Sequence, residues 1–239
     1  MELVSRDKCT GCCACSSICS LITMERDSEG FLYPVIDSGC TECEWCKKIC
    51  PVMDVESCVQ PDPKQVYAVW NKSEEIRFKS TSGGIFSALA KYVFSQSGLV
   101  FGAAFDKDLR LRHVKATSEQ ELVPLRKSKY IQSDAENAIV EAVDLLKQGK
   151  KVLFVGTPCQ VAGLKKVSDR WQENLLTSDF ICHGVASNRF FEKHYSWEAQ
   201  RNNGKIVNVD FRDKSFGWQT CTGNARHDGT ARSSRCRNG

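Results

Sequence analysis

Hydrophobic positions change their period along the chain. In IFSALAKYVF (85–94), Ile85, Leu89, Tyr92 and Val93 recur on one face, which predicts a helix. Asp134–Gln148 carries a similar amphipathic repeat and is closed by Gly149, a residue suited to a helix end. Leu99–Phe105 (LVFGAAF) and Lys151–Val155 (KVLFV) are apolar runs of strand length. Tyr67–Trp70 (YAVW) predicts another short strand. Asn174–Phe180 predicts one more, leading into Ile181-Cys182-His183-Gly184. Val161–Lys166 reads as a helix after the loop Gly156-Thr157-Pro158-Cys159-Gln160. Such alternation argues for an α/β sheet with a site at the strand ends. Residues 1–60 follow neither period, although DSEGFLYPVI (27–36) reads as a hairpin whose Ser-Glu-Gly turn feeds an apolar strand.

Composition explains why the first 60 residues differ. The chain has 239 residues and 14 cysteines, ten of them before residue 59. Residues 1–60 carry a net charge of −5, and residues 61–239 carry +9. The chain therefore divides near Ser57–Gln65 (SCVQPDPKQ), where two prolines and few apolar residues predict a linker. An apolar share of 41% excludes wholesale disorder. No stretch of 18 apolar residues occurs, and MELVSRDKC does not read as a secretory leader, so the expected location is the cytoplasm. In that compartment, dense cysteine indicates metal binding more than disulfides.

The cysteines are regularly spaced. Cys9, Cys12, Cys15 and Cys19 follow C-x2-C-x2-C-x3-C, and Cys40, Cys43, Cys46 and Cys50 repeat it, with Pro51 after the last. This is the bacterial run for [4Fe–4S] ligation, in which the fourth cysteine serves the other cluster. Three thiolates on one tight loop can wrap three irons of a cube, while the fourth points toward the neighbouring cube. The expected sets are Cys9, Cys12, Cys15 and Cys50 for one cluster, and Cys40, Cys43, Cys46 and Cys19 for the other. Zinc is the competing reading, but the third cysteine of each triplet would be surplus to paired C-x2-C sites. Cys13 and Cys58 read as stray thiols. Two short hairpins and two helical turns around two cubes make a dicluster ferredoxin module. Each bound cluster carries −2, which deepens the module's acidity and favours docking with the basic neighbour or with a basic redox partner.

Beyond the linker, Ser80-Thr81-Ser82-Gly83-Gly84 opens the predicted helix at Ile85. Its free N–H groups suit a phosphate, with plain helix capping as the alternative. No G-x-G-x-x-G or Walker lysine accompanies it. Cys159 and Cys182 each follow a strand, so they are either buried structural cysteines or sulfurs that converge on one spot. The positive excess is spread out and argues for no nucleic-acid surface.

Together these residues resemble the coenzyme F420 hydrogenase/dehydrogenase beta-subunit family, in the form with an N-terminal dicluster ferredoxin. The doubled cysteine run carries the resemblance, with STSGGIFSALA (80–90), KSKYIQSD (127–134), VLFVGTPCQVAGLK (152–165), DFICHGVAS (179–187) and NVDFRDKSFGW (208–218). The resemblance implies an FAD-binding domain that exchanges hydride with a deazaflavin or another carrier, with clusters relaying single electrons. It places flavin contacts at Ser82, Gly83, Gly84, Lys129 and Tyr130. It also makes Cys159 and Cys182 two ligands of a third [4Fe–4S] cluster, whose remaining pair comes from a downstream C-x2-C that is missing from this sequence. The last 19 residues (CTGNARHDGTARSSRCRNG) contain no Leu, Ile, Val, Met or aromatic residue and are expected to be disordered and foreign to the family. A truncation or frameshift after about Thr220 is expected, with a solvated natural tail as the alternative.

The expected fold is α+β. A ferredoxin-like module at 1–58 and a linker at 59–65 precede an incomplete α/β flavin-binding domain at 66–220, with a tail at 221–239. The expected function is an iron–sulfur flavoprotein oxidoreductase with two [4Fe–4S] clusters and FAD, partnered by a redox protein or a small hydride carrier. The alternatives are a ferredoxin-type electron carrier without flavin activity and an inactive truncated fragment. No side chain is assigned a catalytic role.

Overall fold

The computed structural model describes residues 3–58, 65–214, 222–227 and 233–237. The cysteine-rich module contains helices α1 (Ala14–Ile18) and α2 (Trp45–Lys48) and strands β1 (Ile22–Arg26) and β2 (Leu32–Ile36). β1 and β2 form the predicted hairpin, with Asp27 Oδ1 accepting from the Glu29 and Phe31 N–H groups to fix the turn. Among the described residues the module holds this one hairpin rather than two.

The larger part begins with α3 (Glu74–Phe78), capped by the Ser73 hydroxyl, and α4 (Ile85–Phe94). Tyr67–Trp70 forms no strand. These residues are exposed, and the following Asn71 N–H bonds to the Gly83 carbonyl, so β-prone side chains find no ladder to join. The mixed sheet is ordered β4–β3–β5–β6, from β3 (Leu99–Phe105), β4 (Leu111–Ala116), β5 (Val152–Val155) and β6 (Leu175–Ser178). β3 and β4 are antiparallel; β3, β5 and β6 run parallel.

Burial on both faces of the sheet follows the two-residue period of a strand. Phe101, Val152 and Phe154 pack under α5 (Glu136–Lys147) and α6 (Pro158–Val167). Val100, Ala104 and Leu153 pack against Ala90 and Val93 of α4, with Leu122 and Leu125. α7 (Asn188–Asn202) lays Phe191 and Tyr195 on Leu111, Ile131 and Ile206.

Strand β7 (Ile206–Asp213) pairs with β8 (Thr222–His227), which pairs with β9 (Ser233–Arg237), all antiparallel. This corrects the expected disorder after residue 220. An antiparallel ladder satisfies backbone N–H and C=O groups directly, so a segment without large apolar side chains can still be held in a sheet. Most of the expected linker (59–64) lies outside the described residues.

The module docks tightly on the larger part. α1 packs against α5 and α6, and the stray Cys13 is buried among Ala135, Ile139, Val161 and Leu164. The Leu32 N–H donates to Gln132 Oε1 at 2.7 Å, and the Arg189 guanidinium donates to the Ser28 carbonyl. A Cβ on Gly11 would lie 2.7 Å from the Leu32 carbonyl and collide with Gln132 Nε2, and its φ is +63°, so only glycine fits this junction.

Candidate metal centres and cofactor site

The two cysteine runs fold alike. In each, the residues on either side of the second cysteine adopt left-handed backbone: Gly11 (φ 63°) and Cys13 (φ 67°) around Cys12, Glu42 (φ 54°) and Glu44 (φ 61°) around Cys43. Three of these four are not glycine, so the loops hold a conformation that costs on the order of 1 kcal/mol per residue. The Glu42 N–H reaches Cys40 Sγ at 3.5 Å, and the Gly11 and Ala14 N–H groups likewise bond the Cys9 and Cys12 sulfurs. Backbone amides turned inward in this way form a concavity suited to negative charge.

Two cavities divide the cysteines of the two runs between them. Cys9, Cys12, Cys15 and Cys50 line one narrow cavity together with Cys13, with Leu3, Val4, Met24, Pro34 and Val52 around them. Cys19, Cys40, Cys43 and Cys46 line a second, wider cavity, with Trp45 on its rim and Lys166, Arg170 and Trp171 on the wall from the larger part. Among the described residues, no three His, Cys, Asp or Glu side chains are close enough to hold a single ion. Zinc at about 2.3 Å from each sulfur would need them within roughly 4 Å of one another. Eight thiols spread around two cavities fit a larger inorganic core, and the soft donor chemistry of thiolates suits iron–sulfur clusters.

Burial pushes the Cys12 and Cys15 thiols up to about 12 and raises Cys9 and Cys46, in each case chiefly by desolvation. Thiolates in such surroundings require cationic metal to stay ionised. Cys13 is raised further by burial and donates to the Gly11 carbonyl at 3.4 Å, which leaves it a packing residue. Cys58 donates to the Asp54 carbonyl at 3.4 Å and lines neither cavity.

Cys159 lies in the first turn of α6, packed against the cluster of buried residues that contains Cys12 and Cys15. One turn on, a Cβ at Gly163 would meet Ala14 Cβ at 3.0 Å and Cys12 Sγ at 3.4 Å, so α6 abuts the first cysteine loop directly. A buried polar set holds this helix start. The Thr157 hydroxyl lies 3.1 Å from Cys159 Sγ, and Gln160 accepts from the Thr157 N–H and donates to the Ser133 carbonyl. His113 bonds Ser133 Oγ at 2.8 Å and the Val155 carbonyl at 3.1 Å, and burial pushes its ring down to about 4, so it is neutral. Cys182, by contrast, is exposed on a loop beside Ile181, which is 88% exposed.

The predicted flavin contacts meet at one corner. The Ser128 N–H donates to Thr81 Oγ1 at 2.8 Å, joining the STSGG turn to the KSKY segment. Gly84 starts α4 in left-handed backbone with no side-chain cap, which leaves the helix N–H groups free of a local carboxylate or hydroxyl. A Cβ on Gly83 would lie 2.8 Å from the Val69 carbonyl. Ser82 is exposed, and Tyr130 is half-exposed, edge-on to Phe211 at 5.6 Å. Lys129 turns inward, donating to the Pro124 and Arg126 carbonyls at 2.7 Å, and desolvation pulls it down to about 7. Arg126, whose Nε donates to Ser87 Oγ at 3.1 Å, and the Thr81–Ser128 pair escaped the sequence reading; the cationic run RKSK at 126–129 was their signal.

Comparison with known proteins agrees with this architecture. Residues 66–140 match the N-terminal part of the beta subunit of the coenzyme F420 hydrogenase/dehydrogenase family, and residues 149–237 match the C-terminal part. The second match runs into the segment whose composition marked it as foreign. No curated protein matches the chain. A solved structure of the F420-reducing [NiFe] hydrogenase complex from Methanosarcina barkeri, described as a xenon derivatization, contains a chain of similar fold, with TM-score 0.51 and 17% identity. The similarity covers 75% of this chain and 64% of that one, so this chain spans less than two thirds of the solved relative. Among the described residues, no helix is long and apolar enough to cross a membrane.

Proposed function

The chain belongs to the coenzyme F420 hydrogenase/dehydrogenase beta-subunit family, and from that premise we propose an iron–sulfur flavoprotein oxidoreductase, linking a hydride carrier to a one-electron partner. The carrying observation is the crossed gathering of eight cysteines around two cavities, docked on the family's α/β part. When bound, FAD would exchange a hydride with coenzyme F420 or another carrier, and two [4Fe–4S] clusters would carry single electrons.

The chain's residues have separate tasks in this reading. Cys9, Cys12, Cys15 and Cys50 hold the inner cluster, and Cys19, Cys40, Cys43 and Cys46 the outer one. Leu3, Val4, Met24, Pro34 and Val52 keep water from the inner site, and inward amides of Gly11, Ala14 and Glu42 stabilise charge on sulfur. The start of α4, with Gly83, Gly84, Thr81 and Ser128, would receive the flavin's phosphates, and Arg126 would add positive charge. Ser82 and Tyr130 border that corner, and Lys129 braces its loop. Cys159 and Cys182 are the family-implied positions for a further cluster, with Cys159 beside the inner site.

Anaerobic purification with iron, sulfide and flavin counted per chain tests this. About eight irons, eight sulfides and one FAD are expected. Irons without flavin would reduce the protein to an electron carrier, and zinc in place of iron would overturn the reading.

A further inference from the structure

The module has one side turned away from the larger part. Every residue from Thr41 to Trp45 is exposed, including Cys43, whereas Cys12, Cys15 and Cys50 are buried. The far walls are covered: α1 sits against α5 and α6, and Lys166–Trp171 closes the back of the second cavity. We propose that the rim Thr41–Trp45 is the port through which electrons pass one at a time to a basic redox protein that docks there. This inference rests on the iron–sulfur reading above.

Three features of the rim select that partner. Trp45 stands 60% exposed at the mouth of the second cavity, an aromatic anchor of the kind that centres protein interfaces. Residues 37–56 carry five carboxylates (Asp37, Glu42, Glu44, Asp54, Glu56) against two lysines, and of these Asp54 is paired with Lys166 at 2.6 Å. Both lysines are engaged locally, Lys47 with Glu44 at 2.6 Å and Lys48 over the Trp45 ring at 5.5 Å. A bound cluster adds further negative charge, so the complementary surface is positive. A small hydride carrier does not suit this place, because a [4Fe–4S] site exchanges one electron and a hydride carries two. A second copy of the module would bring like charge. At the rim one electron leaves the reduced site for the partner's oxidised centre; no bond forms or breaks and no proton moves.

The test uses the full chain, loaded with iron and sulfide, reduced by dithionite and mixed in a stopped-flow with ferricytochrome c, a small basic one-electron acceptor. The second-order rate is expected to fall steeply with ionic strength. The E44K variant should lower it about threefold at low salt and flatten the salt dependence, with iron content and electron paramagnetic resonance spectrum unchanged. The same charge change on the exposed hairpin, E29K, should alter the rate much less. Binding of cytochrome c to the oxidised protein, followed by titration calorimetry, should weaken in the same order. The port is overturned if the rim variant keeps the parent rate and affinity, or if the hairpin variant loses as much. A chain that takes up no iron would overturn the iron–sulfur reading itself, and the port with it.

Discussion

The two cysteine cavities share one spacing and one backbone trace, yet they are different places. The first is walled by Leu3, Val4, Met24, Pro34 and Val52, has no charged side chain in its lining, and sits against α6. The second is wider, has Lys166 and Arg170 on one wall and an exposed rim on the other. The same cysteine spacing can therefore line unequal sites, and burial and nearby charge would set how easily a cluster in each takes an electron. The contrast gives the module a direction: inward toward Cys159, outward toward Trp45.

The sharpest way to break the comparison is to exchange ligands across the runs. Cys50→Ser should empty the first site although Cys50 lies in the second run, and Cys19→Ser should empty the second. Each should lose about four irons of eight, counted by iron and sulfide analysis. If both substitutions emptied the site of their own run, the crossing would be refuted.

Acid should act next most strongly, through the buried polar set that holds the start of α6. His113 is held at about 4, below its ordinary 6.5, so the unfolded chain takes up its proton first as pH falls. Its contribution is full above about 6.5 and is lost as pH drops toward 4, by roughly 3 kcal/mol in all. Urea unfolding across that window should show the loss, and His113→Gln should remove this pH-dependent part.

Gly163→Val should cost about 1–3 kcal/mol, because its side chain would enter the space of Ala14 Cβ and Cys12 Sγ. Thermal unfolding would register it, and the resonance signal of the inner site should change while that of the outer site stays. The smallest expected effect is the inequality of the sites themselves. Potentiometric titration should resolve two steps at least about 60 mV apart, a tenfold distinction for one electron, with the inner site lower. A single step in a protein shown to hold both clusters would erase the contrast.

Much of this was legible in local patterns. Ile85–Phe94 and Leu99–Phe105 form the helix and strand that their periods predict, and Cys50 lines the cavity of the first run while Cys19 lines that of the second. What escaped depended on distant partners. Cys13 reads as a surplus thiol until Ile139 and Leu164 close over it, and Thr81 gains its meaning from Ser128. Tyr67–Trp70 has strand-prone residues but no neighbouring ladder, whereas Thr222–His227 has little apolar character and two neighbours, β7 and β9. Strand formation at these places is decided by pairing, which composition does not record.

The crossing of Cys19 and Cys50 also governs how the module comes together. Joining Cys50 to the first triplet closes a loop of roughly 35 residues, at an entropic cost of about 3 kcal/mol. That same closure would bring Cys19 to the second triplet, so that a second cluster would assemble on loops already held together. On the proposed ligand sets, insertion into the intact chain would be cooperative and the half-filled species short-lived. A chain stripped of one site would meet the whole closure with the other alone, and would fill more slowly. The two crossed ligands act as a latch that closes once for both.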